Sequence, residues 1–159
     1  MRRRAAELLL IVGVVAVACS RPYVAPLLPG PYTEQIEAPY DQVWRALVRV
    51  RARENVQVGA IERDSGIIAS EAVPTPIGLY ADCGRFGDQR VEGDAQVAFT
   101  IFVEGVSATQ TAVQVNTRMR TETYALAGGR AKPRPPLACA STGRWEANLF
   151  DTLRALLRP

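Results

Sequence analysis

The chain has 159 residues, 48% of them hydrophobic, and a formal net charge of +3, which suits one domain of ordinary size. It contains no histidine, so the commonest general base and the commonest metal ligand are both excluded. The 19 basic residues include a single lysine, Lys132, and they form no concentrated patch of the kind that nucleic-acid binding requires. We therefore expect no nucleic-acid partner, no metal and no cofactor.

The first 18 residues have the three parts of a secretory signal peptide. Residues 2–4 are arginines, residues 8–18 form a run of eleven apolar residues and glycine, and residues 16–18 are small. As a helix this run would be about 16 Å long, too short for a hydrocarbon core of about 30 Å. Glu7 is the one residue that departs from the pattern. We predict that residues 1–18 are removed on export.

Cys19 follows directly, and its Ala-Val-Ala-Cys setting resembles the lipobox of bacterial lipoproteins. The resemblance implies that the Cys19 thiol receives diacylglycerol, that the chain is cut before it, and that its new amine receives a fatty acid such as palmitate. Two or more acyl chains hold a protein stably on a membrane, whereas one binds reversibly. Ser20 follows the cysteine in place of aspartate, which by the same resemblance implies an outer-membrane lipoprotein facing the periplasm.

Two further cysteines remain once Cys19 is assigned to lipid. Cleavage before Cys19 would remove three arginines and one glutamate, leaving 16 basic and 15 acidic residues. In an oxidising compartment the two remaining cysteines, Cys83 and Cys139, are expected to form a disulfide. Two free thiols are the alternative.

Residues 19–31 are predicted to be a tether, because four prolines in this stretch favour an extended conformation. At about 3.1 Å per residue the tether would hold the following domain roughly 30 Å or more from the membrane. Residues 32–159 are predicted to be a single domain.

This domain opens with a predicted short strand over residues 32–37 and a helix from Pro39. Pro39 suits the first helical position, and Asp41 places a carboxylate at the positive end of the helix dipole. Tyr40 and Trp44 lie four residues apart, so their rings share one side of the helix. They suit either a core-facing stripe or an aromatic ligand platform.

Two runs, residues 56–63 and 67–72, flank Asp64-Ser65-Gly66 and are typical of a β-hairpin. Residues 73–94 are predicted to be a long loop held down by Cys83. Over residues 96–103 and 113–120 apolar and polar residues alternate, which predicts two strands with one buried and one wet face. Arg118 and Arg120 lie on the solvent-exposed face, where they either contact an anion or are simply solvated.

Residues 125–141 contain two glycines and three prolines and are predicted to be another loop. A helix over residues 142–157 follows, with a possible cap at Ser141 or Thr142 and an apolar stripe that includes Trp145, Leu149 and Leu153. Each helix has one apolar stripe and each strand one apolar face. The predicted fold class is therefore α+β, an antiparallel sheet packed against two helices.

This order of elements resembles the helix-grip fold. Residues 38–50 and 56–71, which contain Tyr40-Asp41, Val43-Trp44 and Asp64-Ser65-Gly66-Ile67, resemble the start of helix-grip domains in lipoproteins similar to BamC, the accessory lipoprotein of the β-barrel assembly machinery. Such proteins carry a long unstructured segment and two grip domains, unlike this chain. The resemblance covers residues 33–72 and implies an envelope lipoprotein, although a shared fold does not by itself assign a function.

No serine-nucleophile elbow, phosphate-binding glycine loop or zinc spacing occurs in the sequence. Asp82 with Asp88 or Glu92 is the remaining candidate for acid–base chemistry, although scattered surface acids are far more common. We expect a non-enzymatic docking or scaffold module with envelope protein partners, or alternatively a domain that binds a small apolar ligand between sheet and helix. An apolar cavity of about 300 Å³ or more would favour the ligand. A filled core with an exposed apolar patch would favour docking, and a simple spacer between membrane and cell wall needs neither feature.

Overall fold

The computed structural model of the protein describes residues 21–53, 57–127 and 129–158. Two helices and eleven strands occur there, and their order agrees with the predicted α+β class. The strands are β1 (Tyr23–Val24), β2 (Tyr32–Ile36), β3 (Val58–Glu62), β4 (Ile67–Ser70), β5 (Val73–Pro76), β6 (Ala81–Asp82), β7 (Arg85–Phe86), β8 (Gln89–Arg90), β9 (Asp94–Gly105), β10 (Thr111–Ala127) and β11 (Arg130–Ser141). The helices are α1 (Tyr40–Arg53) and α2 (Arg144–Leu157).

The main sheet is built around the hairpin of β9 and β10. Its order is β3-β4-β9-β10-β11-β6, with β5 also paired to β9 and β2 also paired to β10. On one edge of β10, residues 111–115 pair with β2 and residues 119–127 pair with β11. All these pairs are antiparallel. A separate three-stranded sheet, in the order β1-β7-β8, contains the first residues of the described chain.

Both helices cover the same face of the main sheet, because their apolar stripes share one core with the inward residues of β9 and β10. Trp44 is 6% exposed and stacks on Tyr40 with ring centroids 6.0 Å apart. The structure therefore supports the core-facing interpretation of this pair. The fully buried members of the core are Val43, Leu47, Val50, Ile68, Ile101, Val113, Leu149, Phe150 and Leu153.

Helix α1 begins at Tyr40, one residue later than Pro39, whose carbonyl accepts hydrogen bonds from the amides of Gln42 and Val43. Helix α2 begins at Arg144, and the predicted side-chain cap is wrong. Gly143 precedes the helix at a φ of 79°, with no side-chain cap. The Ser141 hydroxyl instead accepts from the Gly143 amide and donates to Glu146.

Two segments predicted as loops contain strands. Residues 73–94 form β5 to β8, and residues 125–141 lie largely in β10 and β11. The prolines of β11 are tolerated because it is an outer strand for most of its length and Pro135-Pro136 coincide with a register shift opposite Thr121–Thr123. Proline on an exposed sheet edge also discourages pairing with other chains. The prediction of a loop from the glycines and prolines of residues 125–141 is therefore wrong.

Candidate functional site

The predicted lipid-attachment residue, Cys19, and the predicted signal peptide, residues 1–18, lie outside the described residues. The description starts at Arg21, two positions after Cys19. Among the residues that follow, neither helix combines the length and the apolar character needed to cross a bilayer. Lipid attachment at Cys19 therefore remains a prediction.

The beginning of the predicted tether is paired with the domain, a feature that the sequence does not predict. Tyr23 and Val24 pair with Phe86 and Arg85, and the ring centroids of Tyr23 and Phe86 lie 5.2 Å apart. The Tyr23 hydroxyl donates to the carbonyl of Cys83 at 3.1 Å. Burial, with a smaller contribution from the Asp82 carboxylate, raises the pKa of Tyr23.

Gly84 permits this close approach of the N-terminal segment. Its φ is 78°, and a Cβ at this position would lie 2.3 Å from the Val24 carbonyl oxygen. A side chain at residue 84 would therefore displace β1. A further hydrogen bond runs from the Gly87 amide to the Pro22 carbonyl, so both ends of β1 are attached to the same turn region.

The structure pairs Cys83 with Cys139 as a disulfide, with the sulfurs 1.99 Å and the Cα atoms 4.1 Å apart. Both residues are buried, at 0% and 5% exposure. A small second core surrounds them, formed by Ala81, Ala95, Val97 and Met119 with Ile77 and Val91 packed against it. The disulfide thus attaches the segment between β5 and β9, and with it β1, to the outer strand β11.

Buried side chains of the core occupy the space between the helices and the sheet, and an apolar opening lies at the margin of this core. Phe99 and Trp145 stack there with centroids 4.2 Å apart, and the Arg51 guanidinium lies 3.9 Å from the Phe99 ring centroid. Arg51 is only 1% exposed, so its guanidinium group is buried against the rings of Phe99 and Trp145. The opening is a cleft of about 340 Å³ lined by Val73, Thr75, Tyr80, Val97, Phe99, Trp145 and Asn148. We call it the Trp145 cleft.

Glu146 is a buried carboxylate whose role the sequence analysis did not identify. It is 3% exposed and accepts hydrogen bonds from the hydroxyls of Thr117, at 3.1 Å, and Ser141, at 2.8 Å. Those donors belong to β10 and β11, so Glu146 fastens the start of α2 across two strands. The sequence alone does not indicate this role, because one of the two donors, Thr117, lies 29 positions away in β10.

The residues that carry the resemblance to BamC-like domains meet in space and have structural roles. The Tyr40 hydroxyl donates to the Arg63 carbonyl at 2.7 Å, and Arg63 pairs with Asp41 at 2.7 Å. Burial raises the pKa of Tyr40, and the bond to Asp41 raises the pKa of Arg63. A Cβ on Gly66 would lie 2.1 Å from the Val103 carbonyl oxygen. These contacts fix the Asp64-Ser65-Gly66 turn against the start of α1 and against β9.

The candidate carboxylates Asp82, Asp88 and Glu92 are all exposed. Asp82 accepts a hydrogen bond from the Gly84 amide at 2.9 Å, Asp88 lies in the turn between β7 and β8, and Glu92 follows β8. In the described part of the chain, no group of three or more His, Cys, Asp or Glu side chains is placed to hold a metal ion. Arg118 and Arg120 are exposed, on the sheet face opposite the helices.

Comparisons with known proteins add little to this geometry. No protein-family model matches the sequence, and no curated protein sequence matches it. Among solved structures, a TBP-like protein from Parabacteroides distasonis is similar with a TM-score of 0.46 and 10% identity, over 82% of this chain and 97% of that one. A DUF4468 family protein from Bacteroides ovatus is similar with a TM-score of 0.33 and 13% identity, over 69% of this chain and 64% of that one.

Proposed function

We propose that this chain is an envelope lipoprotein, attached to the outer membrane by acylated Cys19, whose domain is a docking module for an envelope protein. The observation that carries the docking role is the filled interior. Among the described residues, nine large apolar side chains that belong to both helices and to the sheet are completely buried: Phe150, Leu47, Ile68, Ile101, Leu149, Leu153, Val43, Val50 and Val113. A domain packed in this way presents surfaces, not an internal chamber, to its partner.

The paired cysteines support the extracytoplasmic part of the proposal. Disulfides persist in oxidising compartments and are rare in the reducing cytosol. Cys83 and Cys139 lie in contact within a small apolar core. A cysteine pair enclosed in this way fits a protein that is exported before it folds.

The outer edge of β3 is the surface that we assign to the partner. Within the described residues, no strand pairs with this edge, and all five residues of β3 are exposed, Ile61 at 46% and Val58 at 36%. The opposite side of the sheet is protected by the prolines of β11, whereas β3 contains no proline and no lysine. The unpaired backbone groups of an edge strand are a template for adding another strand. Because pairing with β4 is regular only from Ala60 to Glu62, the partner would contribute a short extended segment of an envelope protein.

The experiment is affinity purification of the full chain from bacterial membranes, with quantitative mass spectrometry of the proteins that copurify. Ile61→Lys adds a charge to the exposed edge strand, and Tyr124→Lys, at an exposed side chain in β10, is the matched control. We expect a partner that copurifies with the wild-type chain and the control and is lost with Ile61→Lys. Equal recovery of every copurifying protein with Ile61→Lys would contradict docking at β3.

A second candidate function, binding of a small apolar ligand, is favoured by the Trp145 cleft. Its volume of about 340 Å³ lies at the small end of the range for ligand pockets, roughly 300–1,000 Å³. The stacked Phe99 and Trp145 rings and the Val97 side chain would contact an apolar body, and Asn148 and Tyr80 supply polar groups at the rim.

Val73→Trp, which fills the cleft, distinguishes this candidate from docking. The measurement is a titration of the purified chain with 1-anilinonaphthalene-8-sulfonate, a fluorescent probe with an aromatic body and one sulfonate group. Saturable binding by the wild type that is lost in Val73→Trp supports the ligand function. Binding that is unchanged in Val73→Trp would contradict it.

A further inference from the structure

Exposed apolar side chains are concentrated just after the residue that we propose is lipidated. Leu27 is 95% exposed, Leu28 is 64% exposed and Val24 is 45% exposed. Phe86 is also 38% exposed, but it pairs with Tyr23 and therefore lies on the other face of the β1-β7-β8 sheet from Val24, Arg85 and Arg90. Leu27 follows Val24 by three residues, so the two lie within about 10 Å of each other along the chain. An apolar cluster of this kind marks a contact surface.

The docking of β1 limits how far this surface can lie from the lipid. Tyr23 is held by pairing with Phe86 and by its hydrogen bond to the Cys83 carbonyl. Tyr23 lies only four positions after Cys19, and this length of chain spans at most about 14 Å when fully extended. A lipid attached at Cys19 would therefore keep the β1-β7-β8 sheet close to the headgroups. The spacer of roughly 30 Å expected for an extended proline-rich tether would not form.

The same sheet carries an unfavourable pair of like charges. Arg85 and Arg90 are direct cross-strand partners in β7 and β8, and both are exposed. Like charges directly opposite each other destabilise a strand pair. Both arginines line a surface cavity of about 210 Å³ with Val24, Pro26 and Asp82, and the Arg21 side chain lies beside the turn at Gly87. A phosphate bound between the two guanidinium groups would relieve their repulsion through charge-assisted hydrogen bonds.

From these observations we propose that residues 21–28 together with β7 and β8 form a bilayer-facing surface. Phospholipid phosphates lie between Arg85 and Arg90, and Leu27 and Leu28 enter the interface between headgroups and acyl chains. The inference rests on the proposed lipidation of Cys19, and it specifies the orientation of the domain. One end of the sheet lies on the membrane, and the turn between β9 and β10, at the other end of the twelve-residue strand β9, points into the periplasm.

The test uses the full chain produced in a Gram-negative bacterium, purified in its processed form and reconstituted into vesicles of phosphatidylethanolamine and phosphatidylglycerol. Hydrogen exchange measured by mass spectrometry reports the amides of residues 22–30 and 84–91. The variants are Leu27→Asp/Leu28→Asp and Arg85→Gln/Arg90→Gln. Val106→Asp is the matched control, because Val106 is 51% exposed and follows the far end of β9.

We expect amide exchange in both segments to be several-fold slower in the wild type and in Val106→Asp than in either double variant. Equal exchange in all four proteins would overturn the proposal. Incorporation of radioactive palmitate is measured on the same samples. Labelled protein without a difference in exchange refutes the bilayer-facing surface and leaves the anchor intact, whereas absence of label refutes the lipid anchor and the surface with it.

Discussion

Removing the disulfide tests how the two cores of the domain are connected. The perturbation is the double substitution Cys83→Ala/Cys139→Ala. Alanine is preferred to serine, because both positions are buried among apolar side chains and a buried hydroxyl without a partner would add its own cost. The difference between variant and wild type then reports mainly the loss of the cross-link.

The magnitude follows from the length of chain that the cross-link encloses. The two cysteines are separated by 56 positions, and closing a loop of this length in the unfolded chain stabilises the folded state by about 4 kcal/mol in the chain-entropy model. For a domain of this size a loss of that order lowers the melting temperature by roughly 10–15 °C. Since the cross-link also holds the segment that pairs with β1, the loss of protection should be largest between residues 77 and 91.

The assay combines thermal unfolding followed by circular dichroism with hydrogen exchange of the folded variant. We expect the lower melting temperature and faster amide exchange in residues 77–91 and 22–24, with the centres of both helices little changed. A variant that melts within about 3 °C of the wild type would refute this reasoning. So would wild-type protein from the envelope whose two thiols both react with iodoacetamide before reduction.

Three further substitutions test individual contacts. Gly66→Ala should lower the free energy of unfolding by roughly 2 kcal/mol or more, because residue 66 has a φ of 68° and a Cβ there would clash with the Val103 carbonyl. The control is Gly78→Ala, because Gly78 has a φ of 94° but no atom nearby. Equal losses of stability in urea unfolding would show that the clash is unimportant. Glu146→Ala should lower the free energy of unfolding by roughly 2 kcal/mol, because two hydroxyl donors lose their buried acceptor. The control is Asp151→Ala, which should lower it by less than about 0.5 kcal/mol because the ion pair of Asp151 with Arg154 is exposed. A Glu146 variant as stable as the Asp151 variant would contradict the role assigned to Glu146. Tyr40→Phe should reduce the loss of stability in alkali. Because the pKa of Tyr40 is raised in the folded state, wild-type stability falls as the pH rises above 10. Guanidinium unfolding at pH 8 and pH 10.5 should show a smaller fall in the variant, and an equal fall would exclude Tyr40 as a cause.

Most of the fold follows from periodicity in the sequence. The alternation over residues 96–103 and 113–120 identified β9 and β10, and the helix predicted from Pro39, with Tyr40 and Trp44 on one side, corresponds to α1. These signals are local, and each is repeated over several residues. The prediction of a loop at residues 125–141 was wrong. β11 forms by pairing with the neighbouring strand β10, and a register shift interrupts this pairing, so apolar and polar residues do not alternate regularly along β11.

The candidate sites were harder to predict from the sequence than the fold was. Cysteine counting identified the pair Cys83 and Cys139, because the expected assignment of Cys19 to lipid left only these two for a disulfide. The docking of Tyr23 and Val24 on β7 was not predicted, since two-residue strands carry too little pattern to be distinguished from an extended tether. The Trp145 cleft brings together Val73, Val97 and Trp145 from three separate elements, and no spacing rule connects them.

The direct test of the central claim is the intact mass of the chain purified from bacterial membranes, with sequencing of its N-terminal peptide. The account predicts a chain that begins at Cys19, with a diacylglyceryl group on its sulfur and a fatty acid on its amine. A chain that begins at Met1 and carries no acyl group would contradict the proposed anchor and the membrane orientation that depends on it.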